Sequence, residues 1–157
     1  LQAQYDPKYI QEEELMKVSE IMTHGVEGIQ AADNVVHAAV RMRDFNVGAI
    51  PVFEGNKVSS MLTDRDIAIK VIASSLNPSH TSVGEVMTKG VVSCLEDTEL
   101  SEAAKIMENY KVRRLLVKNT KDDITGILSL GDLSHHAAKE LCAEVLSVVS
   151  EHPQKHH

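Results

Sequence analysis

Apolar and polar positions along this chain change period in a fixed order, and the whole succession occurs twice. A short apolar stretch, Val26 to Gln30, gives way to a helix-period segment that Asp33 can N-cap, with Val36, Ala39 and Val40 as its inward face. A strand pattern follows over Val47-Gly48-Ala49-Ile50-Pro51-Val52-Phe53. The turn Glu54-Gly55-Asn56-Lys57 then leads to a second strand ending at Thr63, and a helix carrying Ile67, Val71 and Ile72 comes next. The succession restarts at Val91 to Leu95. Thr98 is the matching cap, and Leu100, Ala103, Ala104 and Met107 form the inward stripe. A strand covers Val112 to Val117, the turn Asn119 to Asp123 precedes a strand ending at Ser129, and the closing helix carries Leu133, Leu141, Val145 and Leu146. The predicted order is β-α-β-β-α, twice.

Residue identities repeat along with the pattern. Val18-Ser19-Glu20-Ile21-Met22-Thr23 returns 65 positions later as Val83-Gly84-Glu85-Val86-Met87-Thr88. The offset pairs Gly25 with Gly90, Met42 with Met107, Phe45 with Tyr110 and Val47 with Val112. By Asp66 and Asp132 it has grown to 66, an insertion of one residue in the second turn. A half of roughly 60 residues is marginal by itself and need not be stable alone. The expected fold is therefore α/β (α+β): two β-α-β-β-α motifs packed about a pseudo-twofold axis, their hairpins burying apolar faces together. The expected divisions are a leading segment 1–17 with a short helix capped by Asp6 and started by Pro7, motifs at 18–75 and 83–148, a linker 76–82, and a tail 149–157. Ser82-Val83-Gly84-Glu85 reads as a capping box for the turn after the linker.

Composition narrows the function classes. Of 157 residues 43% are hydrophobic but only 3% aromatic, so the core is built from aliphatic residues and methionine, with Phe45, Phe53 and Tyr110 as its large pieces. Met22, Met42, Met87 and Met107 recur at matching places and read as core filler. Sixteen Lys and Arg against 23 Asp and Glu give a net charge of -7, the wrong sign for a duplex-binding surface, and the scarcity of aromatics removes a stacking platform for single strands. No nucleic-acid partner is expected. Cys94 and Cys142 form neither a disulfide framework nor a thiolate metal site, which makes a reducing cytoplasm the default localisation. No apolar run approaches the ~20 residues of a membrane span, so no membrane partner is expected either. His135 and His136 are adjacent and point apart on a helix, so no metal site is expected from them. Nucleophile elbow, P-loop and zincin motifs are absent, and no catalytic residue is assigned.

One stretch with chemical potential remains in each copy. Met61-Leu62-Thr63-Asp64-Arg65-Asp66 and Ile127-Leu128-Ser129-Leu130-Gly131-Asp132 both place a hydroxyl three residues before a carboxylate, where a strand turns into a helix. Capping alone accounts for that spacing, because the pair can satisfy exposed N–H groups of the first turn. Binding is compatible with capping, since the same carboxylate can accept hydrogen bonds from a ligand.

Taken in order, Glu20-Ile21-Met22-Thr23 and Glu85-Val86-Met87-Thr88, Val47 to Val52, Leu62 to Asp66 and Gly126 to Asp132 resemble a tandem pair of CBS motifs, the cystathionine-β-synthase-type domain or Bateman module. The resemblance spans about residues 15 to 148. It implies a regulatory sensor that holds AMP, ADP or ATP in clefts between its motifs, with S-adenosylmethionine or NAD(H) ranking behind them. It implies no catalytic cofactor. The helices after Thr63 and Ser129 carry more apolar residues (Ile67, Ile69, Val71, Ile72; Leu141, Val145, Leu146, Val148, Val149) than one inward stripe consumes, so a homodimer is expected, acting on a protein target in trans. A ligand-free dimerisation scaffold is the alternative. By position in the family pattern, Asp66 and Asp132 would hold ribose hydroxyls, and Thr63 and Ser129 would face phosphate oxygens. Ala49, Ile50 and Leu115 would line the adenine, and Arg113 and Arg65 would be the phosphate cations. Two departures separate the copies: Ser60 stands where the family usually has glycine, and Leu116 replaces the proline that Pro51 keeps.

Overall fold

A computed structural model of the chain describes residues 15–136 and 139–150. Its backbone separates into two compact units. One is continuous, Val26–Val91; the other joins the chain as far as Gly25 to the chain from Val92 onward.

In the continuous unit, β2 (Ile29–Gln30) lies parallel to β3 (Ala49–Glu54), and β3 forms an antiparallel hairpin with β4 (Lys57–Thr63). The edge strand β5 (Thr88–Lys89) completes the order β2-β3-β4-β5. Helix α2 (Val35–Phe45) turns Val35, Ala38 and Met42 onto the inner face of the sheet, where they meet Ile50, Val52 and Leu62. The short α3 (Asp64–Asp66) runs into a π-helix over Ile67–Ile72 that buries Val71 in the same core. A 3-10 turn, Pro78–His80, leads to α4 (Val83–Val86).

The other unit repeats this plan. Its sheet order is β1 (Thr23–His24), β8 (Ile124–Ser129), β7 (Arg114–Lys118) and β6 (Ser93–Leu95). Helix α5 (Leu100–Tyr110) contributes Leu100, Ala103, Ala104 and Met107 to the core, joined by Val18 from α1 (Val18–Ile21), Leu133 from α6 (Leu130–His136) and Val145 from α7 (Lys139–Ser150). Both hairpins carry an irregularity at the same place, between Val52 and Phe53 and between Val117 and Lys118.

The units do not follow the sequence repeat. The stretch that opens the first copy is hydrogen-bonded into the second-copy unit: Val18 N–H donates to the Thr98 carbonyl at 2.9 Å, Ser19 N–H to Glu96 at 2.9 Å, and Leu100 N–H to Met16 at 3.0 Å. Reciprocally, Val83 N–H donates to Asp33 and Gly84 N–H to Ala31, both at 2.8 Å, in the first-copy unit. Each repeat thus lends its opening segment to the other. The divisions at 18–75 and 83–148 describe the repeat in sequence, whereas the compact units are cut after Gly25 and Val91.

Other expectations change by small, explicable amounts. Asn34, not Asp33, caps α2, its side chain accepting from His37 N–H at 3.0 Å; Asp33 instead accepts from Gln30 N–H. The inward face moves with the cap, leaving Val36, Ala39 and Val40 outside. Glu99 takes the position before α5 in place of Thr98. Phe45 and Tyr110, expected in the core, are 48% and 65% exposed at the ends of their helices, where Asn46 and Lys111 turn the chain in the left-handed region. Phe53 is half-buried. The four repeated methionines are buried as expected. The capping box of Ser82 and Glu85 is formed. The leading helix at Asp6 and Pro7 and the tail from residue 151 lie outside the described residues.

Candidate functional site

The strand-to-helix junctions of the two copies are built alike. Thr63 N–H and Thr63 Oγ1 both donate to Asp66 Oδ2, at 3.1 and 3.0 Å, and Asp66 N–H returns a bond to Thr63 Oγ1 at 3.0 Å. Ser129 N–H and Oγ donate to Asp132 Oδ2 at 2.7 and 2.8 Å, and Asp132 N–H returns to Ser129 Oγ at 3.1 Å. The first turn is thereby capped in both places, and one carboxylate oxygen is used in doing so. The opening of the junction is set by the strand before it: Asp64 N–H donates to the Gly48 carbonyl and Leu130 N–H to the Arg113 carbonyl, each at 2.9 Å. The main chain of Arg113 therefore borders the second junction.

What surrounds the second carboxylate oxygen differs. Lys70, four residues after Asp66, places Nζ 3.1 Å from Asp66 Oδ1. The same ammonium donates to the Val86 carbonyl at 2.8 Å and to Thr88 Oγ1 at 3.0 Å. All three of its donors are engaged. Position 136 in the second copy is an exposed histidine, and among the described residues no cation reaches Asp132 Oδ1. Lys70 was not singled out by the sequence reading. Its i, i+4 spacing from Asp66 was the available signal.

The other candidates separate by burial. Ile50 and Leu115 are 2% and 0% exposed and belong to the two cores, so any contact they make with a ligand comes from the main chain. Ala49, paired with Thr63 across the hairpin, is buried on the opposite face of β3 from Ile50. Arg65 is exposed and has Gly131 as its counterpart. Arg113 is exposed, its guanidinium Nη2 3.3 Å from Ser150 Oγ.

No alternative centre emerges among the described residues. They contain no group of three or more His, Cys, Asp or Glu able to hold a metal ion, and His135 and His136 are exposed. Cys94 is buried, and burial, reinforced by the charge of Glu102, pushes its thiol up to about 11, far from the thiolate a nucleophile needs. A cavity of about 410 Å³ lies at the turn end of the β3–β4 hairpin, lined by Gln30, Asp33, Arg41, Phe53 and Asn56 among others, and contains none of the predicted site residues. No described helix is long and apolar enough to cross a membrane.

The profile of the CBS domain matches residues 18–72 and 83–139. Among curated proteins of Bacillus subtilis, YlbB is 36% identical over 140 residues, 87% of this chain and 93% of YlbB. The CBS domain-containing protein YhcV is 34% identical over 137 residues, 87% of this chain and 96% of YhcV. Hypoxic Response Protein I, solved with two coordinated zinc ions, superimposes with a TM-score of 0.68 at 29% identity, covering 78% of this chain and all of that one. CBSX2, solved in complex with AMP, gives a TM-score of 0.64 at 24% identity over 77% of this chain and 95% of that one.

Proposed function

The chain belongs to the CBS-domain family as a tandem pair, and from that premise we propose that it is a regulatory, non-catalytic module that binds an adenine nucleotide, AMP or ATP, and acts on a protein partner in trans. The observation that carries this reading is the second-copy junction. There a carboxylate whose Oδ2 is fixed by Ser129 keeps Oδ1 available for a ribose hydroxyl, and an exposed arginine stands one hydrogen bond away along the backbone. In a chain of net charge -7, a phosphate needs such a local cation. The AMP-bound CBSX2 structure is consistent with a ligand of this class in this fold. The Hypoxic Response Protein I structure holds two coordinated zinc ions, and the described residues here contain no group of three or more His, Cys, Asp or Glu that could hold such an ion.

The test is a thermal melt against AMP, ADP, ATP and adenosine. A ligand at 100 times its Kd adds about 2.7 kcal/mol to stability. Arg113→Ala is expected to weaken the nucleotides while leaving adenosine nearly unchanged; equal losses for AMP and adenosine count against the phosphate role.

A scaffold reading has its own observation. Ile69, Ile72 and Leu76 of the first-copy unit are 49%, 61% and 46% exposed, a set of aliphatic side chains that a second copy of the chain can cover. Homodimerisation is part of the proposal in either case. A mass near the 17.2 kDa of one chain by light scattering at micromolar concentration overturns it. A dimer that no nucleotide stabilises favours the scaffold.

A further inference from the structure

We infer that the two junctions are not equivalent sites: Lys70 keeps the first-copy carboxylate Asp66 closed to a ligand diol, so that an adenine nucleotide engages the chain at Asp132 alone. The inference rests on the ribose reading of the two carboxylates and adds to it a stoichiometry and the residue that sets it.

Three observations point the same way. The first is the ion pair. Asp66 gives Oδ2 to Thr63 and Oδ1 to Lys70, in a side chain that is only 17% exposed. A ribose hydroxyl is a neutral donor and would have to replace a charge-assisted bond to reach Oδ1. Lys70 cannot simply turn to water, because the same ammonium is held by the Val86 carbonyl and Thr88 Oγ1 on the neighbouring segment. The brace is fixed at three points, and Lys70 is carried by a π-helix, whereas α6 in the second copy is a regular helix over its described residues Leu130–His136.

The second observation is the strand before the junction. The position of Arg113 is Gly48 in the first copy, so the cation is missing there. The third is the residue whose amide that strand receives. In the second copy it is Leu130, and in the first it is Asp64, an exposed carboxylate so close to Gly48 that a Cβ added there would lie 3.0 Å from Asp64 Oδ2. Counted over matching positions, the first junction holds two carboxylates (Asp64, Asp66) against two cations (Arg65, Lys70), with one of those cations already spent on Asp66. The second holds Arg113 and Arg114 against Asp132. The first junction is thus balanced in charge and the second carries one positive charge in excess, so a phosphate is attracted more strongly at the second.

The experiment is calorimetric titration of AMP into the full chain and into K70M, D66A, D132A and K70M/D66A. Methionine keeps the aliphatic stem of Lys70, and a ligand-free melt of each variant reports folding. The expected parent binds one AMP per chain, with affinity that falls at least tenfold in D132A and less than twofold in D66A. K70M is expected to gain a second, weaker site that K70M/D66A loses. Two AMP per chain in the parent, or a tenfold loss in D66A, overturns the closure by Lys70 while leaving the nucleotide reading intact. No binding to the parent but binding to K70M that D66A abolishes supports the closure and removes the reading of Asp132. No binding to any folded variant overturns both.

Discussion

The two strand-to-helix junctions share every hydrogen bond of their capping boxes and almost nothing of their surroundings. In the first copy the carboxylate is braced by Lys70 and flanked by Gly48 and Asp64; in the second it faces no described cation on Oδ1 and is flanked by Arg113 and Leu130. The shared bonds belong to the fold, because a helix that starts at the end of a strand needs its first N–H groups satisfied wherever it occurs. The differences lie in side chains that no capping requirement fixes. A repeat can therefore hold its architecture constant while one copy becomes a structural brace and the other keeps an accessible carboxylate.

The largest effects test which side chains serve the cores. Ile50→Ala and Leu115→Ala are each expected to destabilise the chain by about 2 to 5 kcal/mol, measured by denaturant unfolding, because each empties a fully packed site in its own unit. A mild effect at either position would return that side chain to the candidate ligand surface. Next come the carboxylates. Asp132→Ala is expected to lower nucleotide affinity by about 1.5 to 3 kcal/mol, seen by calorimetry, whereas Asp66→Ala is expected to leave affinity unchanged. In ligand-free unfolding both lose a cap worth about 1 kcal/mol, and Asp66→Ala loses in addition an ion pair worth about 0.2 to 1 kcal/mol. The same pair of variants thus ranks in opposite orders in the two measurements.

A third contrast concerns one strand position. Gly126 of β8 has the Thr23 carbonyl 2.5 Å from where a Cβ would stand, so Gly126→Ala is expected to cost about 1 to 3 kcal/mol. Its counterpart Ser60 is fully buried and donates its hydroxyl to the carbonyls of Thr88 and Met61. Ser60→Ala keeps the space filled and loses the hydrogen bond, at about 1 kcal/mol. Equal and small losses at both positions would show that the edge strands β1 and β5 shift easily.

The smallest effect is acid-linked. Ser82, through its main-chain N–H first and its hydroxyl second, holds the Glu85 carboxyl below its ordinary value of 4.5. A carboxyl lowered on folding contributes stability that is complete above the unfolded value and is lost as pH falls through the folded one. Glu85→Gln is therefore expected to lower stability slightly at neutrality, with the difference from the parent vanishing as pH falls from 4.5 through the lowered value, so that the acid limb becomes slightly less steep. An unchanged acid limb in Glu85→Gln would count against the box. The segment that opens the first copy has Glu20 accepting from Lys17 N–H at 2.6 Å, with a lysine where Ser82 supplies a hydroxyl.

Much of this was legible in the sequence, for reasons that particular residues make plain. The helix of the second copy reads correctly because Ser101, Glu102 and Lys105 leave one phase for Leu100, Ala103, Ala104 and Met107. In the first copy Val35-Val36 and Ala38-Ala39 fit two phases, and Asp33 and Asn34 are both competent caps, so the pattern is ambiguous by one residue and the structure takes the other choice. The capping pairs at Thr63 and Ser129 follow from spacing alone. Lys70 does not, since two of its three partners, Val86 and Thr88, come from the start of the next repeat. The exchange of opening segments is invisible for the same reason. Similarity reports which residues correspond, and it is silent on which ones pair.

That exchange carries a consequence for the order of events during synthesis. The unit Val26–Val91 is contiguous and can assemble once its own residues have emerged. The segment from Met16 to Met22 must wait for Thr98 and Leu100, with the whole of the first unit intervening. Closing that loop is an entropic cost met only after a nearly complete chain is available, which places the discontinuous unit last on the folding path and makes it the slower step. A chain cut in the linker between the repeats would leave each fragment holding the other's edge strand. Recovery of the fold by mixing the two fragments would then require their association before either sheet is complete.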